Sequence, residues 1–123
     1  MADPQLAEAV QTFKALQQEL QANAQTRQQL ISQINETEMV KEELERLDED
    51  STVYKQIGPA MIKQDLVEAQ TNVSKRLEFI QGEMRRVCDK HVALEAKAKE
   101  QQALVMKLQA KQQQQQGTAQ PAA

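Results

Sequence analysis

One stretch of this chain interrupts an otherwise helical pattern, and it restricts the available folds more than any other feature. In Val53-Tyr54-Lys55-Gln56-Ile57 the β-branched Val53 and Ile57 flank Lys55 in period-two alternation, and Ala60-Met61-Ile62-Lys63-Gln64 follows as a second short apolar run. Gly58-Pro59 lies between them. Glycine tolerates a positive φ and proline cannot donate to a ladder, so the pair predicts a turn, and residues 53–64 a β-hairpin. Proline at the second loop position suits neither common two-residue hairpin turn, which leaves the turn type unassigned. A two-stranded hairpin is marginal in water, and its neighbours in sequence are helical. The strands that complete it are therefore expected from other chains. Its free edges then form an assembly surface carrying Val53, Tyr54, Ile57, Gly58, Pro59, Met61 and Ile62.

The flanking segments read as two helices. Asp3-Pro4 supplies an N-cap acceptor and a proline at the first helical position. Leu6, Val10, Phe13, Leu16 and Leu20 follow at helical spacing, the pattern lapses over residues 21–29, and Leu30, Ile31, Ile34, Val40, Leu44 and Leu47 resume it. This predicts a first helix over 4–47, stopped by Asp48-Glu49-Asp50, where acids meet the negative end of the helix dipole. Asp65-Leu66-Val67-Glu68 has capping-box spacing and opens a second helix over 65–112. Val73, Leu77, Ile80, Met84, Val87, His91, Leu94, Ala98, Gln101, Val105 and Leu108 then alternate steps of four and three, a heptad seam. The Gln-rich residues 113–123 read as a disordered tail, with Gly117 ending the pattern.

The stripes Leu6–Leu47 and Leu66–Leu108 are nearly equal in length. The expected fold is mainly α: a long antiparallel coiled-coil helical hairpin with one β-hairpin at its closed end. In that register facing residues have numbers summing to about 113, so the polar lapse faces residues 84–92, around Cys88 and His91, and a soft point is expected there. At the open tip Leu104, Val105 and Met106 point about 100° apart and cannot all face one partner helix. Together with Leu6, Val10, Phe13 and Leu108 they form more apolar surface than a two-helix seam can bury, a candidate grip for apolar segments of other proteins.

Composition narrows the function. Only two phenylalanines and one tyrosine are present, too little bulk for an ordinary globular core. The net charge of −3 disperses 15 basic among 18 acidic residues, without the basic footprint of a nucleic-acid binder. The start lacks signal-peptide regions, and no apolar run approaches the roughly 18 residues of a membrane span. A lone Cys88 fits a reducing compartment, so the cytoplasm is the expected location. The single histidine, His91, has no partner at ligand spacing, and Cys88 has no helper group. The Glu42-Glu43 and Glu45 face is that of a solvated helix, since paired-carboxylate catalysis needs a cleft that two helices do not form. No enzyme activity, metal or cofactor is expected.

The segment VKEELERLDEDSTVYKQIGPAMIKQDLVEA, followed by KRLEFI within the second heptad helix, resembles the β-type subunits of prefoldin. The resemblance extends over roughly residues 4–112, and Gly58, Pro59, Lys63, Gln64 and Lys75 to Ile80 carry its specific part. It implies a hexamer of two α-type and four β-type subunits whose hairpins join in a β-barrel platform. It further implies an ATP-independent chaperone that captures unfolded chains such as actin and tubulin at the coiled-coil tips and passes them to the cytosolic group II chaperonin. A plain coiled-coil scaffold or tether is the alternative reading, in which the helices suffice and the hairpin is incidental.

Overall fold

The structure is a computed structural model that describes residues 3–119, and the side chains of residues 3–115. Helix α1 (Pro4–Arg46) leads into an antiparallel hairpin of β1 (Val53–Ile57) and β2 (Ala60–Gln64), and helix α2 (Leu66–Ala119) follows. Both helix starts are capped by the acids the sequence offers. The Gln5 N–H donates to Asp3 Oδ1 at 3.0 Å, and the Glu68 N–H donates to Asp65 Oδ2 at 3.3 Å. Past Arg46 the Ser51 hydroxyl donates to Asp48 Oδ1 and the Ser51 N–H to the Asp48 carbonyl, a local turn that replaces further helix.

The chain divides into two compact units, a terminal unit of Met1–Gln25 with Cys88–Ala123 and a hairpin unit of Thr26–Val87. In the terminal unit Ala9 and Leu94 are the buried apolar residues, and the Gln101 side-chain amide donates to the Ala9 carbonyl at 3.1 Å. In the hairpin unit Leu44, Ala69, Leu77 and Ile80 are buried, and the Gln70 amide donates to the Leu44 carbonyl at 2.9 Å. Leu44 lies in the last turn of α1, and its carbonyl accepts from the Leu47 N–H just past the helix at 3.4 Å and, at shorter range, from Gln70 of the opposite helix. The pairs 9 with 101 in the terminal unit and 44 with 70 in the hairpin unit each have numbers summing to within a few of 113, close to the register read from the stripes.

The seam of α2 follows the sequence pattern: every residue from Val73 to Leu108 assigned to it is buried or half-buried. In α1 the pattern differs. Val40, and Leu47 just past the end of the helix rather than within it, are exposed, whereas Ala9, Asn23 and Thr37 are among the most buried positions. The reason is geometric, because a 3.5-residue repeat continued from Leu6 passes through Ala9, Phe13, Leu16, Leu20, Asn23, Leu30, Ile34, Thr37 and Leu44 whatever their polarity. Buried Thr37 satisfies its hydroxyl by donating to the Gln33 carbonyl at 2.6 Å. The C-terminal end also differs from expectation. Helix α2 passes through the glutamine run and Gly117 to Ala119, rather than ending at residue 112. Glutamine is a good helix former, and extending an existing helix avoids the cost of nucleation. Residues 120–123 of the expected tail lie outside the described residues.

Candidate functional site

The hairpin pairs Val53 with Gln64, Tyr54 with Lys63, Lys55 with Ile62, Gln56 with Met61 and Ile57 with Ala60. Its loop is therefore the two residues Gly58-Pro59, and Gly58 has φ +57°. Proline cannot follow with a positive φ, which excludes a type I′ turn and leaves type II′ compatible with the signs of φ at both positions. The left-handed backbone at Gly58 is what a side chain would resist, since a Cβ there would meet no neighbour within 4 Å.

Alternation gives the hairpin two faces. Val53, Lys55, Ile57, Ala60, Ile62 and Gln64 share one, and Tyr54, Gln56, Met61 and Lys63 share the other. Ile57 is 52% and Ile62 50% exposed, and Tyr54 and Met61 on the opposite face are exposed as well. Only Val53 of the expected assembly residues is half-buried. A hairpin with apolar residues exposed on both faces gains little from its own chain. Ile57 and Ala60 close the turn as a hydrogen-bonded pair, and by alternation Tyr54 and Gln56 on β1, and Met61 and Lys63 on β2, aim their backbone N–H and C=O groups outward. Each edge thus offers two residues' worth of ladder to an added strand.

Behind the hairpin lies an open hollow of about 400 Å³. Val40 and Leu44 of α1, Val73 of α2, and Val53 and Tyr54 of β1 supply its apolar lining, with Lys55 and Arg76 also present. Sequence reading missed this feature because Val40 looked like part of the helix seam. Its 48% exposure shows that it flanks the seam instead.

In the terminal unit the expected client residues divide into two groups. Leu6, Val10, Phe13, Val105 and Leu108 are half-buried, while Leu104 and Met106 are exposed. An open groove of about 360 Å³ is lined by Leu104 and Leu108 together with Ala9, Thr12 and Gln101. The same unit holds His91, whose Nε2 lies 3.2 Å from Glu95 Oε1, a one-turn contact along the helix surface. Cys88 is half-buried with a free thiol. Among the described residues no group of three or more His, Cys, Asp or Glu could hold a metal ion, and no helix is long and apolar enough to cross a membrane.

Residues 7–117 match the family described as "Prefoldin subunit". Curated relatives include prefoldin subunit 6 of Arabidopsis thaliana, 42% identical over 94 residues covering 76% of this chain and 73% of the relative. Prefoldin subunit 6 of Homo sapiens is 37% identical over 100 residues, covering 81% and 78%. A probable prefoldin subunit 6 of Caenorhabditis briggsae is 38% identical over 110 residues, covering 89% and 86%. Among solved structures, the prefoldin beta subunit from Thermococcus strain KS-1 superposes with a TM-score of 0.79 at 24% identity, covering 86% of this chain and 93% of that one, which shows a shared fold.

Proposed function

The chain belongs to the prefoldin subunit family, and from that premise we propose that it works as one β-type subunit of a hetero-hexameric, ATP-independent chaperone in the cytoplasm. Membership makes it a chaperone component that oligomerises with other prefoldin subunits. The proposal adds two α-type and three further β-type partners, capture of unfolded chains such as actin and tubulin, and their delivery to the cytosolic group II chaperonin.

The observation that supports this reading best is the hairpin. Ile57, Ile62, Tyr54 and Met61 are exposed on its two faces, and each edge has unpaired backbone groups, so the element is suited to completion by other subunits. A scaffold would need only the helix seam. Exposed Leu104 and Met106 in the terminal unit support a client role there, methionine and leucine being adaptable apolar contacts.

The test is direct. The assembled protein, without ATP, is added in stoichiometric amount to actin diluted from denaturant, and light scattering is followed. The reading expects scattering to be suppressed and the captured actin to pass to added chaperonin; scattering indistinguishable from buffer would refute client capture.

A further inference from the structure

In the hairpin unit the outward faces of the two helices each carry an exposed apolar side chain, in surroundings of opposite charge. Residues three and four apart adjoin on a helix surface, so those positions give the neighbours of each side chain. Met39 of α1 is 66% exposed, and its neighbours are Asn35, Glu36, Glu42 and Glu43. Phe79 of α2 is 65% exposed, and its neighbours are Lys75, Arg76, Gly82 and Glu83. Both stand outside the buried seam residues Thr37, Leu44, Leu77 and Ile80, so one copy cannot close these faces on each other.

Glu43 and Glu83 are engaged within their own helices, by Arg46 at 3.7 Å and by Arg86. Glu36 and Glu42 beside the methionine, and Lys75 and Arg76 beside the phenylalanine, have no ion pair among the described residues. Glu36 and Arg76 border one groove between the helices, and Lys75 borders an open hollow with Glu45 and Glu78, yet neither arrangement pairs the charges. Gly82 adds a shape to the cationic face. Glycine is less favourable than alanine in a helix interior, and a Cβ at Gly82 would meet nothing within 4 Å, so the chain's own packing does not call for it. It leaves a notch one turn from Phe79.

We propose that a second copy of this chain docks here: Met39 of one copy seats in the Gly82 notch against the Phe79 ring of the other, with Glu36 and Glu42 facing Lys75 and Arg76. The charges are complementary, and a thioether packs favourably on an aromatic ring. The two patches differ, so each copy offers one and receives on the other, which gives open side-by-side rows of assembled chaperones rather than a closed pair. A contact between single helices covers less than the roughly 1,200 Å² of a stable interface, so the association is weak and reversible. It uses neither the hairpin nor the tip and stands apart from the chaperone reading.

Charge exchange tests it. The full chain is co-expressed with its partner subunits, and sedimentation velocity of the purified oligomer follows mass against concentration at low salt. The unsubstituted oligomer is expected to associate reversibly as concentration rises and to return to single oligomers at about 0.5 M salt. Glu42→Lys and Lys75→Glu each set like charges face to face and should weaken association about fivefold or more. An equimolar mixture of the two restores opposite charges at every contact between unlike variants and should recover the parent's association to within about twofold. Gly82→Ala should raise helix stability yet weaken association about threefold or more, a split that a purely structural role does not give. Sedimentation independent of concentration, variants indistinguishable from the parent, or a mixture no better than its components overturns the docking. The mass of the single oligomer reads chaperone assembly separately, so that result leaves the chaperone reading standing. Where a substitution lowers that mass, the same charge-exchange series on the full chain alone decides.

Discussion

Replacing Ile57 and Ile62 together by alanine should weaken assembly while leaving the helices intact. Both side chains lie on one face of the hairpin, and each leaves about half its surface in water, 52% and 50%. Full burial of an isoleucine stabilises by about 1.5–3 kcal/mol, so burying the remaining half in an interface contributes about 0.8–1.5 kcal/mol per residue. The pair then accounts for about 1.6–3 kcal/mol, or roughly a 15- to 150-fold weaker association. The two residues are diagonal rather than directly opposite, which keeps their contributions separate enough to add to a first approximation. Sedimentation velocity of the co-expressed complex over a dilution series reads the dissociation midpoint, and circular dichroism reads helix content. Met39→Ala, which also removes an exposed apolar side chain but lies outside the hairpin, serves as the control and should move the midpoint by less than about twofold, in line with the small effects of most surface changes. A double alanine variant that dissociates at the same concentration as the parent would show that the hairpin face is not an interface.

Further expectations follow from burial, capping and the tip. Ile80 is 4% exposed and its neighbour Phe79 65%, so Ile80→Ala should cost about 2–3 kcal/mol of local stability and Phe79→Ala less than about 0.5, read as amide exchange over residues 77–84. Gln70→Ala removes the side-chain donor to the Leu44 carbonyl, leaving only the longer bond from the Leu47 N–H, and should raise exchange in the last turn of α1 by the equivalent of about 0.5–1 kcal/mol. Exchange over residues 21–29 and 84–92 is expected to be faster than in the flanking turns of each helix, and uniform protection would contradict the soft point inferred from their polarity. Combined truncation at Phe13, Leu104 and Leu108 should reduce suppression of actin aggregation with assembly preserved; an assembled variant of full activity would remove these residues from client binding.

How far the fold could be read from the sequence depended on how loudly each buried position announced itself. In α2 an apolar residue stands at nearly every seam step from Val73 to Leu108, so the pattern and the burial coincide. In α1 Ala9, Asn23 and Thr37 are buried by the repeat and by the helix opposite, although their small or polar side chains carry no hydrophobic signal. Val40 carries such a signal and is exposed, because it lines the hollow behind β1 rather than the seam. The hairpin was legible from Gly58-Pro59 and its flanking alternation, but its turn needed the observed φ at Gly58. The glutamine run misled because low complexity and helix propensity point in opposite directions, and there the adjoining helix decides in favour of propensity. At the tip, sequence spacing located the apolar cluster, and only side-chain placement separated exposed Leu104 and Met106 from the half-buried remainder.

Completion of the hairpin by other subunits is tested most directly by the mass of the assembly that the chain enters in its own cell. Purified at native salt and weighed intact by mass spectrometry, the chain should appear in a hexamer with other small helical subunits. A discrete monomer or homodimer would mean that the hairpin needs no such partners, and would contradict assembly through its faces and edges.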